Sequence, residues 1–113
     1  KYTAALEGHK NIIAPSICDI CDCHVFHQYT LRIIDADRNG LMQHLLDKGI
    51  PCAIYYPIPL HSQKAYADAR YKEEDFPVTN QLVKEVISLP MHTELDDEQI
   101  KFITDSILEF LNK

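Results

Sequence analysis

Polar and apolar residues alternate most clearly in HVFHQYTLRII, from His24 to Ile34. Val25, His27, Tyr29, Leu31 and Ile33 share one face, and Phe26, Gln28, Thr30, Arg32 and Ile34 the other. This predicts a strand in a sheet covered on one face and in part on the other. Upstream, residues 2–7 allow a helical turn or two ending near Gly8, while residues 9–23, with Pro15 and no period, read as irregular. Downstream, Asp37 is a good N-cap for a helix carrying Leu41, Leu45 and Leu46. Gly40 inside that helix costs up to about 1 kcal/mol against Ala, which predicts a loose start. Gly49 suits the left-handed turn that ends a helix, and Pro51 blocks continuation.

The apolar, aromatic run Cys52 to Tyr56 predicts a second strand. Residues 62–71, with Ala65, Tyr66 and Ala69 at helical spacing, predict a short helix, and Lys72 to Asp75 a solvated link. Pro77 fits the first turn of a helix bearing Leu82, Val83 and Val86, and Ile87 to Leu89 make a short strand closed by Pro90. The last helix has Asp96 as cap with Gln99 in the capping-box position, and Leu95 and Ile100 flank the cap as a staple. Ile100, Ile103, Ile107 and Leu111 then share its apolar face. Short strands separated by helices imply an α+β fold, a two-layer sandwich with a small three-stranded sheet packed on helices. Antiparallel pairing is preferred; strand order is not fixed at this level.

At 113 residues the chain is long enough for one domain with a modest core. The net charge of -6 argues against a nucleic-acid or anionic-membrane surface, which needs a basic stripe. No apolar run approaches the roughly 20 residues that span a bilayer. There is no signal-peptide pattern; the chain opens mid-pattern, as if cut from something longer. Cys18, Cys21 and Cys23 cluster and Cys52 stands apart, too sparse for a secreted disulfide scaffold, so a cytoplasmic location with reduced thiols is expected.

Two segments carry candidate chemistry. Cys18-x-x-Cys21-x-Cys23-His24, with His27 beyond, contains zinc-ligand residue types, but no second CxxC or HxxxH completes a tetrahedral set. An incidental thiol-rich loop is the favoured reading, with a small zinc module as the lesser alternative. The second segment is GIPCAIYYPIPLH, Gly49 to His61. Pro57 and Pro59 fix two φ angles and remove two donors, so the loop holds Tyr55, Tyr56 and His61 still. Tyrosine offers a flat face and a hydroxyl, and histidine can donate or accept, a set suited to a sugar or phosphate. Packing at a strand end and capping of the next helix would explain the same residues. His27 and His92 read as ordinary strand and loop residues, and Arg32 as a paired strand residue before a carboxylate or phosphate contact. There is no nucleophile-elbow spacing and, with only Gly8, Gly40 and Gly49, no phosphate-binding glycine loop.

Taken in order, several segments resemble the C-terminal domain of the DegT/DnrJ/EryC1/StrS sugar aminotransferases. They are Tyr2 to Leu6, HVFHQYTLRI, Arg38 to Leu41 (with Asn39 where the family has Asp), GIPCAIYYPIPLHSQKAY, FPVTNQLVKEVISLPMHTEL and DDEQIKFITDSI. The resemblance implies the small domain of a fold type I enzyme. Residues 1–8 would end an interdomain linking helix, 9–23 form an irregular segment, and 24–113 make the compact α+β domain. It implies a parent that uses pyridoxal phosphate to move an amino group, from glutamate, onto a nucleotide-linked keto-sugar for polysaccharide or glycoconjugate synthesis. It further implies a homodimer, with the large domain as this chain's own partner. Tyr56 and His61 would line the substrate side of the cleft, with Tyr55 beside them where the family often has His.

The family's Schiff-base lysine follows a Ser-Phe motif. Here the serines precede Ile17, Gln63, Leu89 and Ile107, so the motif is missing and the cofactor-binding large domain is expected to lie outside this chain. The 113 residues alone are therefore expected to bind no cofactor and to be inactive. A non-catalytic, ligand-sensing member of the family is the alternative.

Overall fold

The computed structural model describes residues 1–17 and 24–113. Helix α1 (Tyr2–Leu6) leads to β1 (Ile12–Ile13), β2 (Tyr29–Ile33), α2 (Arg38–Asp47), α3 (Pro77–Glu85), β3 (Val86–Leu89) and α4 (Asp97–Leu111). The sheet runs β1-β2-β3 and both pairings are antiparallel. Tyr29 faces Leu89 and Leu31 faces Ile87, so these four share the inner face. Thr30 opposite Ser88 and Arg32 opposite Val86 occupy the outer face.

The core is one cluster. Tyr2 and Leu6 of α1, Leu41 and Leu45 of α2, and Ile103 and Ile107 of α4 bury against Leu31, Ile33 and Ile87 of the sheet. Helix α3 buries none of its residues fully and lies toward the outer face, where Glu85 receives Arg32 at 2.8 Å. The fold is thus the expected two-layer α+β arrangement, with the second face of the sheet only partly covered.

Local chemistry sets the helix ends. Asp37 accepts from the N–H of Gly40 at 2.9 Å and opens α2. At the other end Gly49 has φ +75°; its N–H reaches Leu46 O and that of Ile50 reaches Leu45 O, both at 2.9 Å. That pair of bonds is a Schellman closure, and the buried Ile50 provides its apolar contact. Pro77 takes the first position of α3. Asp96 and Gln99 form the reciprocal capping box of α4, with bonds of 2.8 and 3.1 Å.

Several expectations need correction. The strand predicted over His24 to Ile34 begins only at Tyr29: Phe26 has φ +45°, a left-handed conformation no strand tolerates, and Val25 is 87% exposed. The segment taken as irregular contains β1, whose Ile12 pairs with Ile33; Asn11 fastens it by donating to the carbonyls of Ile34 and Asp35 at 2.8 and 3.2 Å. The predicted strand Cys52 to Tyr56 contracts to a single bridge, Ala53 with Ser88, because the flanking prolines lack ladder donors. The predicted helix over 62–71 is instead two 3₁₀ turns, Leu60–Ser62 and Lys64–Tyr66; a third, Glu73–Asp75, sits in the charged link. In α2, Leu41 and Leu45 are buried but Leu46 faces outward.

Candidate functional site

The proline-braced loop after Ala53 and the exposed flank of α3 enclose a cleft of about 910 Å³. Tyr56 and His61 both line it, joined by Leu60, Tyr66 and Tyr71 from the loop and by Phe76, Thr79 and Val83 around α3. His61 lies flat on Phe76, centroids 4.4 Å apart and planes 12° apart. Its Nε2 is 3.0 Å from Oδ1 of Asn80, whose Nδ2 donates to the Glu73 carbonyl at 2.6 Å. Tyr56 is 77% exposed, its ring free to meet a ligand.

The electrostatics are spare. Among the described residues no lysine or arginine lines this cleft, and its one carboxylate, Asp68, is gripped by Arg70 through bonds of 2.6 to 3.1 Å. That guanidinium holds the Asp68 carboxyl below its ordinary range. A cleft walled by aromatic faces, with few polar groups and no cation, suits a neutral ring carrying hydroxyl or N–H groups better than a phosphate.

Tyr55 goes elsewhere. The Tyr55–Tyr56 peptide bond is cis, and the two rings sit 6.2 Å apart at 73°. Tyr55 lines a separate cleft of about 370 Å³ with His27, Cys52, Ser88 and His92. The three candidates of the loop therefore divide, Tyr56 with His61 in one cleft and Tyr55 in the other. Burial pushes the Cys52 thiol up, and it leans on the Met42 carbonyl at 3.8 Å. Arg32 is committed to Glu85. Cys18, Cys21 and Cys23 lie outside the described residues; His24, which is described, accepts from the N–H of Phe26 and lies tilted against its ring. Among the described residues no group of three or more His, Cys, Asp or Glu is placed to hold a metal ion.

Sequence reasoning missed Phe76 and Asn80. A signal existed for Asn80: an asparagine inside a helix is a poor helix former, and its amide commonly serves a contact outside the helix ladder.

The family model of the DegT/DnrJ/EryC1/StrS aminotransferases matches residues 1–108. This chain belongs to that family. The pleiotropic regulatory protein of Geobacillus stearothermophilus is 44% identical over 87 residues, 77% of this chain and 23% of that protein. The dTDP-3-amino-3,6-dideoxy-alpha-D-galactopyranose transaminase of Aneurinibacillus thermoaerophilus is 33% identical over 104 residues, 90% of this chain and 27% of the transaminase. Among solved structures, S. venezuelae DesV in complex with a ketimine intermediate superposes with a TM-score of 0.89 at 29% identity, covering 99% of this chain and 29% of DesV. A family aminotransferase from Brucella abortus gives 0.86 at 31% identity, covering 99% of this chain and 29% of that one. The chain spans about a quarter of the length of the curated relatives it matches.

Proposed function

We propose that this chain is the small domain of a pyridoxal phosphate-dependent nucleotide-sugar aminotransferase, and that its Tyr56–His61 cleft forms one wall of the sugar site. The parent enzyme transfers an amino group from glutamate to a nucleotide-linked keto-sugar destined for polysaccharide or glycoconjugate synthesis. It works as a cytoplasmic homodimer, with the remainder of the protein as this domain's partner. One observation carries the reading: in a chain of this family, Tyr56 and His61 line one largely aromatic cleft, with His61 held by Phe76 and Asn80.

Pyridoxal phosphate, when bound, supplies the electron sink for amino transfer, and it requires an amine for its aldehyde and donors for its phosphate. The described residues lining this cleft offer neither a lysine nor an arginine. They do not fit the cofactor, which is assigned to the remainder of the protein. What this chain contributes is binding and orientation. Tyr56 stacks on the sugar, His61 bonds one of its polar groups, and the apolar wall excludes water.

The test is glutamate-dependent amination of a panel of dTDP- and UDP-linked keto-sugars by the full-length protein. His61→Ala and Tyr56→Ala are expected to raise KM for the nucleotide sugar roughly tenfold with cofactor binding unchanged. Turnover without any change in KM would remove these residues from the sugar site. The 113-residue chain alone is expected to show no pyridoxal absorbance that survives dialysis and borohydride trapping; a trapped band would overturn that assignment.

The regulatory reading draws on names. Besides the G. stearothermophilus protein, the erythromycin biosynthesis sensory transduction protein EryC1 of Saccharopolyspora erythraea is 40% identical over 97 residues. Nucleotide-sugar binding without turnover across the panel would select it.

A further inference from the structure

Asn80 is absent from the cleft wall, yet it decides what His61 offers there. The Glu73 carbonyl can only accept, so the Asn80 atom 2.6 Å from it is the amide NH₂. Oδ1 is thereby turned toward His61, 3.0 Å from Nε2. That oxygen can only accept as well, so Nε2 carries the hydrogen. A neutral imidazole has one N–H, which leaves Nδ1 bare. The stack on Phe76 holds the plane of the ring, and the contact with Asn80 fixes which edge carries Nε2. Nδ1 has no partner among the described residues, and the one buried unpartnered side-chain atom found among them is Nε2 of His44, so the His61 Nδ1 is accessible, on a residue that lines the cleft.

We infer that Asn80, anchored on the Glu73 carbonyl, locks His61 as the Nε2–H tautomer, so that Nδ1 faces the cleft as a hydrogen-bond acceptor selecting a hydroxyl or N–H of the bound molecule. Asn80 and Phe76 are positioning residues that act through His61. Residues 73–80 work as a unit: the 3₁₀ turn supplies the carbonyl, the residue capping α3 the stacking face, and the first turns of α3 the amide. The ligand half of the inference rests on the cleft being the sugar site; the tautomer half does not.

The experiment uses full-length protein labelled with ¹⁵N-histidine, read by two-bond ¹H–¹⁵N correlation. Neutral His61 is expected to show a protonated-type Nε2 and a bare-type Nδ1. Asn80→Ala should shift both nitrogens toward the averaged values of free imidazole, whereas Asn80→Asp, which keeps an acceptor beside Nε2 but gives up the bond to the Glu73 carbonyl, should shift them less. A bare Nε2 in the parent protein, or a spectrum unmoved by Asn80→Ala, overturns the inference. If Asn80→Ala does not fold, the parent and Asn80→Asp spectra decide it.

Calorimetry with dTDP-glucose and UDP-N-acetylglucosamine reads the second half. Asn80→Ala is expected to raise Kd about 3- to 10-fold and Asn80→Asp less. The expected tautomer together with unchanged affinities in Asn80→Ala and His61→Ala would overturn the ligand role alone. Keto-sugar turnover in the same preparations reports separately on the aminotransferase reading.

Discussion

Arg38 reaches from the start of α2 to the carbonyl of Val86, 2.6 Å away, and its second terminal nitrogen meets the carbonyl of Val83 at 3.1 Å. One guanidinium thus ties the first turn of α2 to the point where α3 gives way to β3. Burial pushes that guanidinium below its ordinary value, yet its planar fork still spans both carbonyls.

Arg38→Ala is accordingly expected to destabilise the protein by about 1.5–3 kcal/mol, the range for hydrogen bonds to a charged group. Arg38→Lys should recover less than half, since an ammonium on a single stem cannot serve both carbonyls. Urea midpoints at constant m-value measure both; a loss below about 0.5 kcal/mol would remove the tie from the stability account.

Gly40→Ala runs against the ordinary rule. In an exposed helix interior the change gains up to about 1 kcal/mol. Here a Cβ would press on the carboxylate of the cap Asp37 and stand 3.0 Å from Cζ of Phe110 on α4. A loss of about 1–3 kcal/mol is expected from overpacking and a displaced cap. A raised melting temperature would show that Asp37 can yield at no cost.

Tyr2 predicts an alkaline limb. Its hydroxyl donates to the Pro90 carbonyl at 3.0 Å, and burial, with Tyr29 beside it, pushes its pKa up to about 12. The unfolded chain ionises this group near 10, so the folded state holds its proton longer. The stability Tyr2 contributes is fully present below about pH 10 and is lost as pH rises to about 12, on the order of 2 kcal/mol. Tyr29, also raised by burial, acts in the same direction. Urea midpoints at about pH 9 and about pH 11.5 should fall between the two in the parent protein and fall less in Tyr2→Phe.

Asp96→Ala should cost about 1 kcal/mol by leaving the Gln99 N–H without its partner, and Asp96→Asn should cost little. Unfolding of both variants, read by circular dichroism, would separate capping from the carboxylate's charge. Equal losses would show that the charge matters beyond the cap.

The elements readable in advance were those written in local chemistry. The caps at Asp37 and Asp96, the closure at Gly49, Pro77 and the apolar stripe of α4 each depend on residues within a few positions of one another. Tyr56 and His61 could be singled out because Pro57 and Pro59 stiffen the loop between them and the family resemblance puts both on the substrate side. What stayed hidden depends on distant partners. Ile12 and Ile13 have no period of their own and become a strand only because β2 offers an edge. Cys52 to Tyr56 looks like a strand, yet pairs at Ala53 alone.

The sequence by itself determined the class of fold, the family likeness and the identity of the loop residues, since hydrophobic period and turn chemistry are properties of neighbours along the chain. Only the tertiary structure decided that Tyr55 parts from Tyr56, that Phe76 and Asn80 stand behind His61, and that Arg38 bridges α2 to β3. Asn80 lies 19 residues from His61, and Val86 lies 48 from Arg38. Which hydrogen an imidazole keeps is set by the oxygen placed beside it in space, and the order of residues along the chain does not name that oxygen.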